Sequence, residues 1–328
     1  MFRKTLIFTL LIALLSACAP QATPTVAPVM TEPAVVTEAP ATEAPATEPA
    51  VSYTFTDGLG REVKLNGPAQ HVVSLAPSNT EILFAIGAGS QVVGRDEFSD
   101  YPEEAKSISS VGGSMGQYSA EAIVALKPDL VLAAEINTPE LVKQLEDLGL
   151  TVYYLKNPTT LEGMYDNLVL VGQLTGHVED ANSLVESLKA RVAAVDEKIA
   201  PLSSRVPVFY EIDASDPAKP YTYGPGSFGD LLISRAGGEN IGSSLTDPYP
   251  QMSLEQVVAA NPYAIILGDS MWGTTPDAVK SRPGWEGIDA VQNDRIYPFD
   301  DNLVSRPGPR LVDGLEQLAK LLRPELFK

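Results

Sequence analysis

The feature that most constrains the fold is a ten-residue pattern that occurs twice in the sequence. Residues 119–128 read Ser-Ala-Glu-Ala-Ile-Val-Ala-Leu-Lys-Pro, and residues 253–262 read Ser-Leu-Glu-Gln-Val-Val-Ala-Ala-Asn-Pro. Each copy predicts a short helix that a serine caps and a proline ends. A buried apolar strand follows each copy, so the repeat predicts two related halves, each with a parallel sheet covered by helices.

Strands alternate with helices on both sides of a helical middle segment. The first half is expected to contain a hairpin around Asp57-Gly58 and strands at 71–75, 130–133 and 151–155. The second half is expected to contain strands at 207–212, 263–267 and 295–299 and helices at 229–235 and 309–322.

Residues 160–200 are nearly all helix-forming and are interrupted only near Gly176. A single helix from Glu179 to Ala200 would be about 33 Å long. We therefore expect an α/β fold with two Rossmann-like lobes, at 53–175 and 201–328, which a long rigid backbone helix at 176–200 joins.

Two helix starts in the first half have local signals. Ser78 and Glu81 have the spacing of a capping box, and they predict that a helix begins there and ends by Gly87 or Gly89. Thr138 and Pro139 predict the next helix, which Gly149 ends. Spacing in that helix predicts one apolar face, formed by Leu141, Leu145 and Leu148.

The amino terminus decides the compartment. Arg3 and Lys4 precede an apolar run that is too short to span a hydrocarbon core of about 30 Å, and Cys18 follows soon after it. This stretch resembles a bacterial lipoprotein signal, which implies that residues 1–18 are a signal peptide and that Cys18 is lipidated. Residues 19–52 are Pro, Thr, Glu and Ala-rich and predict a disordered tether. The protein is thus expected on the extracytoplasmic side of a membrane, periplasmic or on the outer face of the cell membrane, which it contacts only through its lipid.

The net charge and the small number of cysteines and histidines exclude several functions. A net charge of −19 disfavours nucleic acid as a partner. Cys18 is the one cysteine, so the mature chain has no disulfide and no second thiol. His71 and His177 belong to no metal-ligand motif, and no nucleophile elbow or phosphate loop occurs. We therefore expect a binding protein without a metal site or cofactor of its own, and an extracytoplasmic enzyme or a sensor remains an alternative.

Aromatic and basic residues concentrate in the joints that follow strands or precede helices, where an open α/β sheet binds its ligand. Such side chains suit a large, partly apolar ligand. The candidate ligand-binding residues are Phe98, Met115, Tyr118, Tyr223, Tyr249, Trp272 and Arg306.

Several motifs together are similar to the vitamin B12 and ferric-siderophore binding proteins of ABC importers. They are residues 72–83, 98–102, 121–130, 237–241 and 305–310. The resemblance covers roughly residues 53–328, and it implies that the ligand lies between the two lobes.

The same resemblance implies roles for particular residues. Glu121 and Glu255 match glutamates that dock on the permease dimer, one in each lobe. Phe98, Met115, Tyr249 and Arg306 match ligand-contacting positions of the vitamin B12 branch, although Met115 and Tyr249 stand where that branch has tryptophans. We expect a monomer that binds a bulky metal chelate, with any metal inside the chelate. Cobalamin is favoured, and a ferric siderophore or haem is the alternative.

Overall fold

A computed structural model describes residues 53–328. The predicted signal peptide, the lipidated Cys18 and the predicted tether lie outside the described residues. Within residues 53–328, no helix combines the length and the apolar character needed to cross a membrane.

An antiparallel hairpin precedes the first sheet. Its strands are β1 (Tyr53–Thr56) and β2 (Glu62–Leu65), joined across Asp57-Gly58 as predicted. The ring of Phe55 meets the edge of Tyr153 at 6.5 Å between centroids, and the Tyr153 hydroxyl donates to the carbonyl of Thr56 at 2.9 Å. The hairpin is thereby fastened to the sheet behind it.

The first sheet is parallel and has four strands in the order β4-β3-β5-β6. The strands are β3 (Val72–Ser74), β4 (Val92–Arg95), β5 (Leu130–Ala134) and β6 (Val152–Leu155). The helices of this lobe are α1 (Pro77–Ala85), α2 (Ala120–Ala125), α3 (Pro139–Asp147) and α4 (Leu161–Thr175). All five residues of β5 are buried, as expected for a central strand covered on both faces.

One long helix, α5 (Val178–Ile199), follows Gly176, whose left-handed backbone (φ 83°) ends α4. Its 22 residues correspond to about 33 Å. Six buried residues recur every three or four positions along it and form the stripe that packs against the core. At the edge of this stripe Arg191 pairs with Asp313 and Glu316 at 2.5 and 2.9 Å. Helix α5 therefore contacts the carboxyl-terminal helix, which contains Asp313 and Glu316, through both apolar and ionic side chains.

The second sheet is also parallel, with the order β10-β9-β7-β8. Its strands are β7 (Val206–Glu211), β8 (Gly238–Asn240), β9 (Ala264–Leu267) and β10 (Ile296–Pro298). The helices of this lobe are α6 (Phe228–Arg235), α7 (Leu254–Ala260), α8 (Pro276–Lys280), α9 (Asp289–Gln292), α10 (Asn302–Ser305) and α11 (Leu311–Leu322).

The two sheets have the same topology. In each one the first strand of the sheet lies between the second and the third, and the fourth lies outside the third. The repeated sequence forms α2 before β5 and α7 before β9, each capped by its serine, Ser119 or Ser253. The predicted α/β architecture of two related lobes with a long helix between them is therefore confirmed. The lobe boundaries at residues 175 and 200 stay a prediction, because the contacts of the described residues form one compact unit.

Three local predictions were wrong or incomplete. Ala76 is the cap residue of α1 and Pro77 is its first residue, so Ser78 lies inside the helix and forms no capping box with Glu81. A proline fits the first helical position because its fixed φ is already helical and its missing N–H is not needed there. On α3 the buried residues are Val142 and Leu145, whereas Leu148 is 52% exposed at the end of the helix. Strands β4 and β8 were not predicted, since they have only four and three residues and contain glycine.

Candidate functional site

A cavity of about 260 Å³ lies where the two lobes meet. From the first lobe it is lined by residues 76–78, which follow β3, by Ala134 and Ile136 at the end of β5, and by Asn157 after β6. From the second lobe it is lined by residues 305–307. Strands β3 and β5 are neighbours whose connections leave in opposite directions, and ligands bind at such a switch point in open α/β sheets. The cavity therefore lies at the switch point of the first sheet, and residues 305–307 of the second lobe form part of its wall.

An ion-pair cluster that joins the lobes reaches this cavity through Arg306. Glu81, on α1, accepts from Arg306 at 2.9 Å and from two nitrogens of Arg310 at 2.9 and 2.6 Å. The Glu81 side chain is 1% exposed, and the Arg306 and Arg310 side chains are 12% and 11% exposed. Asp100 also accepts from Arg306, at 2.8 Å. Arg306 lines the cavity, but its charge is already compensated by two carboxylates.

The strand ends beside the cavity are fixed by a polar triad. Tyr118 donates its hydroxyl to the carbonyl of Leu75 at 2.9 Å, and the amide of Asn137 donates to both of these oxygens. Burial, with a contribution from the charge of Asp96, raises the pKa of Tyr118 to about 12. Tyr118 is therefore neutral at physiological pH, and its hydroxyl holds the loop after β3 in place.

An aromatic cluster lies in the second lobe, close enough to the first for the charge of Glu135 to act on Tyr249. The ring of Tyr249 lies 5.9 Å from that of Tyr223, which meets Tyr210 at 4.9 Å between centroids. The hydroxyls of Tyr210 and Tyr223 both donate to Asp301 at 3.0 Å. Burial raises the pKa of Asp301 despite these hydrogen bonds. Tyr249 is thus 62% exposed and packs against the buried ring of Tyr223.

The predicted ligand-binding residues differ in position and in how far their side chains are exposed. Phe98 is 50% exposed, and its carbonyl accepts from Arg306 at 3.3 Å, so these two residues from different lobes meet. Tyr223 is only 2% exposed, so it supports Tyr249 and has almost no surface for a ligand. Met115 is 94% exposed in a turn, where its backbone has a positive φ of 50°.

Trp272, the remaining predicted ligand residue, is 79% exposed and lines a second cavity in the second lobe. The residues that line this second cavity are all different from those that line the cavity between the lobes, called the interlobe cavity below.

The sequence did not predict the contacts of three buried or partly buried charged residues, Glu81, Arg310 and Asp301. Glu81 was assigned to a capping box, although a glutamate among five other buried residues of one helix is itself a signal for a buried partner. Arg310 occurs in the same Pro-rich segment as Arg306. The residues that Arg310 and Asp301 contact cannot be deduced from the sequence around them. Glu81 and Arg310 are 229 residues apart in sequence.

The two predicted docking glutamates occupy equivalent positions. Glu121 and Glu255 are each the second residue of a serine-capped helix, on α2 and α7, and both are exposed. Each helix leads into the third strand of its sheet. Any two-fold partner that engages one glutamate thus has an equivalent one to engage in the other lobe.

The histidines lie outside the cavity. His71 immediately precedes β3 and is 3.9 Å from Asp129, while His177 precedes α5 and contacts Asp180 at 3.2 Å. In the part of the chain that the structure describes, no group of three or more His, Cys, Asp or Glu side chains is arranged to hold a metal ion.

Comparisons with known proteins agree with this architecture. The sequence profile of the family described as "Periplasmic binding protein" matches residues 72–303. An uncharacterized ABC transporter substrate-binding lipoprotein, YvrC of Bacillus subtilis, is 34% identical over 84% of this chain and 87% of its own length. The vitamin B12-binding protein of Vibrio campbellii is 31% identical over 78% of this chain and 90% of its own. The solved periplasmic haem-binding protein RhuT of Roseiflexus sp. RS-1 superposes with a TM-score of 0.70 at 27% identity, over 79% of this chain and 99% of that one.

Proposed function

The chain belongs to the periplasmic binding protein family, and on that premise we propose that it is the substrate-binding lipoprotein of an ABC importer. It holds a bulky metal chelate between its lobes, delivers it to the permease and carries out no chemistry on it. One observation carries the proposal: the cavity at the switch point of the first sheet is closed by residues 305–307 of the second lobe. Both lobes therefore contribute to one binding surface.

The charges around this surface favour cobalamin. Glu81 and Asp100 together balance the charges of Arg306 and Arg310, so an anionic chelate finds no uncompensated guanidinium in this cluster. Acidic groups lie near by, since the charges of Asp301 and Glu135 act on Tyr249. A corrinoid bears uncharged carboxamides around its rim, which can hydrogen-bond to the strand ends without a charged partner.

Haem and ferric siderophores are the alternative cargo. Haem iron takes a histidine, cysteine, methionine or tyrosinate ligand. Both histidines lie at helix or strand starts away from the cavity, and burial, then the charges of Asp301 and Glu135, raise the pKa of Tyr249. A tyrosinate at Tyr249 would be disfavoured by the same surroundings, so haem is the second choice.

The lipid anchor and the docking surface complete the proposal. Cys18 carries the lipid and holds the protein on the extracytoplasmic side of the membrane, as the lipoprotein name of the YvrC relative supports. Glu121 and Glu255 pair with basic residues of a two-fold permease, supported by their equivalent positions on α2 and α7.

Calorimetry of the purified mature protein with cyanocobalamin, haemin and ferrichrome tests the cargo. We expect cyanocobalamin to bind most tightly and Tyr249→Ala to weaken it by about ten-fold, because an exposed aromatic platform of this kind contributes on the order of 1–1.5 kcal/mol. Leu148→Ala removes another exposed apolar side chain, directly after α3, and should leave the affinity unchanged. Preferential haemin or ferrichrome binding would replace cobalamin as the cargo, and absence of binding to all three would contradict chelate transport.

A further inference from the structure

A buried carboxyl group, that of Asp96, lies directly after β4 in the first lobe. The residue is 2% exposed. Burial, the largest influence, raises the pKa of Asp96, although hydrogen bonds and the charges of Arg306 and Arg95 act against this rise. Burying a carboxyl group is costly, and carboxyl groups with a shifted pKa concentrate at functional sites.

Both oxygens of Asp96 hold the chain that follows it. Oδ1 accepts from the backbone N–H of Phe98 at 2.9 Å, and Oδ2 accepts from the hydroxyl of Ser99. An aspartate that accepts from the N–H two residues further on forms an Asx-turn, which fixes the direction of the backbone. The carboxylate thus determines how the chain turns at Phe98.

A row of buried hydroxyl groups connects this turn to the wall of the interlobe cavity. Thr80 Oγ1, on α1, lies 2.7 Å from Ser99 Oγ and 2.8 Å from Ser74 Oγ. The Ser74 hydroxyl donates to the carbonyl of Ala76 at 3.1 Å, and Ala76 lines the cavity. The two serines and the threonine are each 0% exposed, so water does not compete for these contacts. The segment after β4 is therefore fixed relative to the cavity wall.

This segment carries the groups of the first lobe that meet Arg306. The carbonyl of Phe98 accepts from Arg306 at 3.3 Å and the carboxylate of Asp100 accepts at 2.8 Å, and Arg306 lines the interlobe cavity. The ring of Phe98 is 50% exposed beside these contacts. Its placement depends on the backbone of Phe98, which Asp96 holds.

We propose that Asp96 is a positioning residue for cargo binding. It holds the ring of Phe98 where the ring contacts a cargo in the interlobe cavity, and this inference rests on the proposed function. Asp96 does not touch the cargo itself, because a residue that is 2% exposed offers almost no surface to it. Its contribution to affinity is made through Phe98.

A double-mutant cycle, measured by calorimetry with cyanocobalamin, tests the proposal. Phe98→Ala should weaken binding by about ten-fold, and Asp96→Ala by roughly three- to ten-fold. In the Phe98→Ala background, Asp96→Ala should change the affinity by less than about two-fold, because the ring through which it acts is gone. Loss of the same factor with and without the ring would overturn the proposal.

Two milder variants separate the hydrogen bonds from the charge. Asp96→Asn keeps an oxygen for the N–H of Phe98 and should bind within about two-fold of the unaltered protein. Binding as weak as that of Asp96→Ala would refute positioning, because the charge would then be required. Ser99→Ala keeps the carboxylate and removes its link to Thr80, which remains informative if Asp96→Ala does not fold. It should weaken binding by roughly two- to five-fold, and an unchanged affinity would contradict the proposal.

Asp57→Ala is the matched control for a purely structural effect. Asp57 is 6% exposed and forms the same kind of turn, with its Oδ1 accepting from the N–H of Leu59 at 3.0 Å. It does not line the interlobe cavity. Both alanine variants should lower the Tm, but only Asp96→Ala should lower the affinity. Equal weakening in Asp57→Ala would mean that general destabilisation causes the loss, against the proposal.

Failure of the proposed function has a different result. Absence of cyanocobalamin binding to the unaltered protein would reject the cargo, and this inference with it. Normal binding by both the unaltered protein and Asp96→Ala would reject the positioning role alone.

Discussion

Replacing Glu81 with alanine removes the carboxylate that connects α1 of the first lobe to Arg306 and Arg310 of the second. The three side chains are 1%, 12% and 11% exposed, so water compensates little of the charge that remains. Removing one partner of a buried ion pair costs about 3–5 kcal/mol, since the other charge stays buried. Asp100 still accepts from Arg306 at 2.8 Å and is half-exposed, which should keep the loss near the lower limit.

We therefore expect Glu81→Ala to lower the free energy of unfolding by about 3 kcal/mol. Urea unfolding followed by circular dichroism measures this change. In a chain of this size it corresponds to a decrease in Tm of roughly 4–5 °C. Glu81→Gln keeps the side-chain volume and one acceptor oxygen, so its loss should be smaller.

The matched control is Glu103→Ala. Glu103 pairs with Lys106 at 2.7 Å, a distance as short as those around Glu81, but the two side chains are 81% and 50% exposed. Exposed pairs contribute about 0.2–1 kcal/mol, so the control should lose less than 1 kcal/mol. Equal losses in Glu81→Ala and Glu103→Ala would refute the reasoning, because burial would then make no difference to the pair.

Two further predictions concern Asp301 and the docking glutamates. Burial raises the pKa of Asp301 in the folded protein, so its favourable contribution is complete below the unfolded pKa and is lost as pH rises through the folded pKa. Asp301→Asn keeps an acceptor for Tyr210 and Tyr223, and its Tm relative to the parent should rise between pH 4 and 7; a pH-independent difference would contradict this. Glu121→Ala combined with Glu255→Ala should leave cyanocobalamin affinity unchanged and reduce uptake by whole cells at least ten-fold, since both exposed side chains lie away from the interlobe cavity. Wild-type uptake by the double variant would rule out docking through these residues.

The architecture was predictable because its signals are local and repeated. The serine caps of α2 and α7, the prolines after them and the apolar strands that follow are all contained within short windows of sequence. Short elements such as β8, with three residues that include glycine and asparagine, have no such signal. Their strand geometry depends on pairing with β7, which is a tertiary contact.

The site was predictable only in part, for the same physical reason. Exposed aromatic residues such as Phe98 and Tyr249 could be proposed from their places in the joints between elements. The burial of Tyr223 could not, because it depends on Asp301, which lies 78 residues away in sequence. The Ser78-x-x-Glu81 spacing was misleading, since a capping box and a buried ion pair draw on the same residue types and only tertiary structure distinguishes them.

The Glu81 cluster connects the rigidity of the protein to its choice of cargo. Glu81 and Asp100 of the first lobe together neutralise the guanidinium groups of Arg306 and Arg310 of the second and so fix the distance between the lobes. Helix α5 fixes this distance again along a separate line of contacts. The same neutralisation removes positive charge from the cavity wall at Arg306, where an anionic ligand would otherwise be attracted. If the proposed function is right, this site should select its ligand by shape, aromatic contact and neutral hydrogen bonds, because its strongest charges already hold the two lobes together.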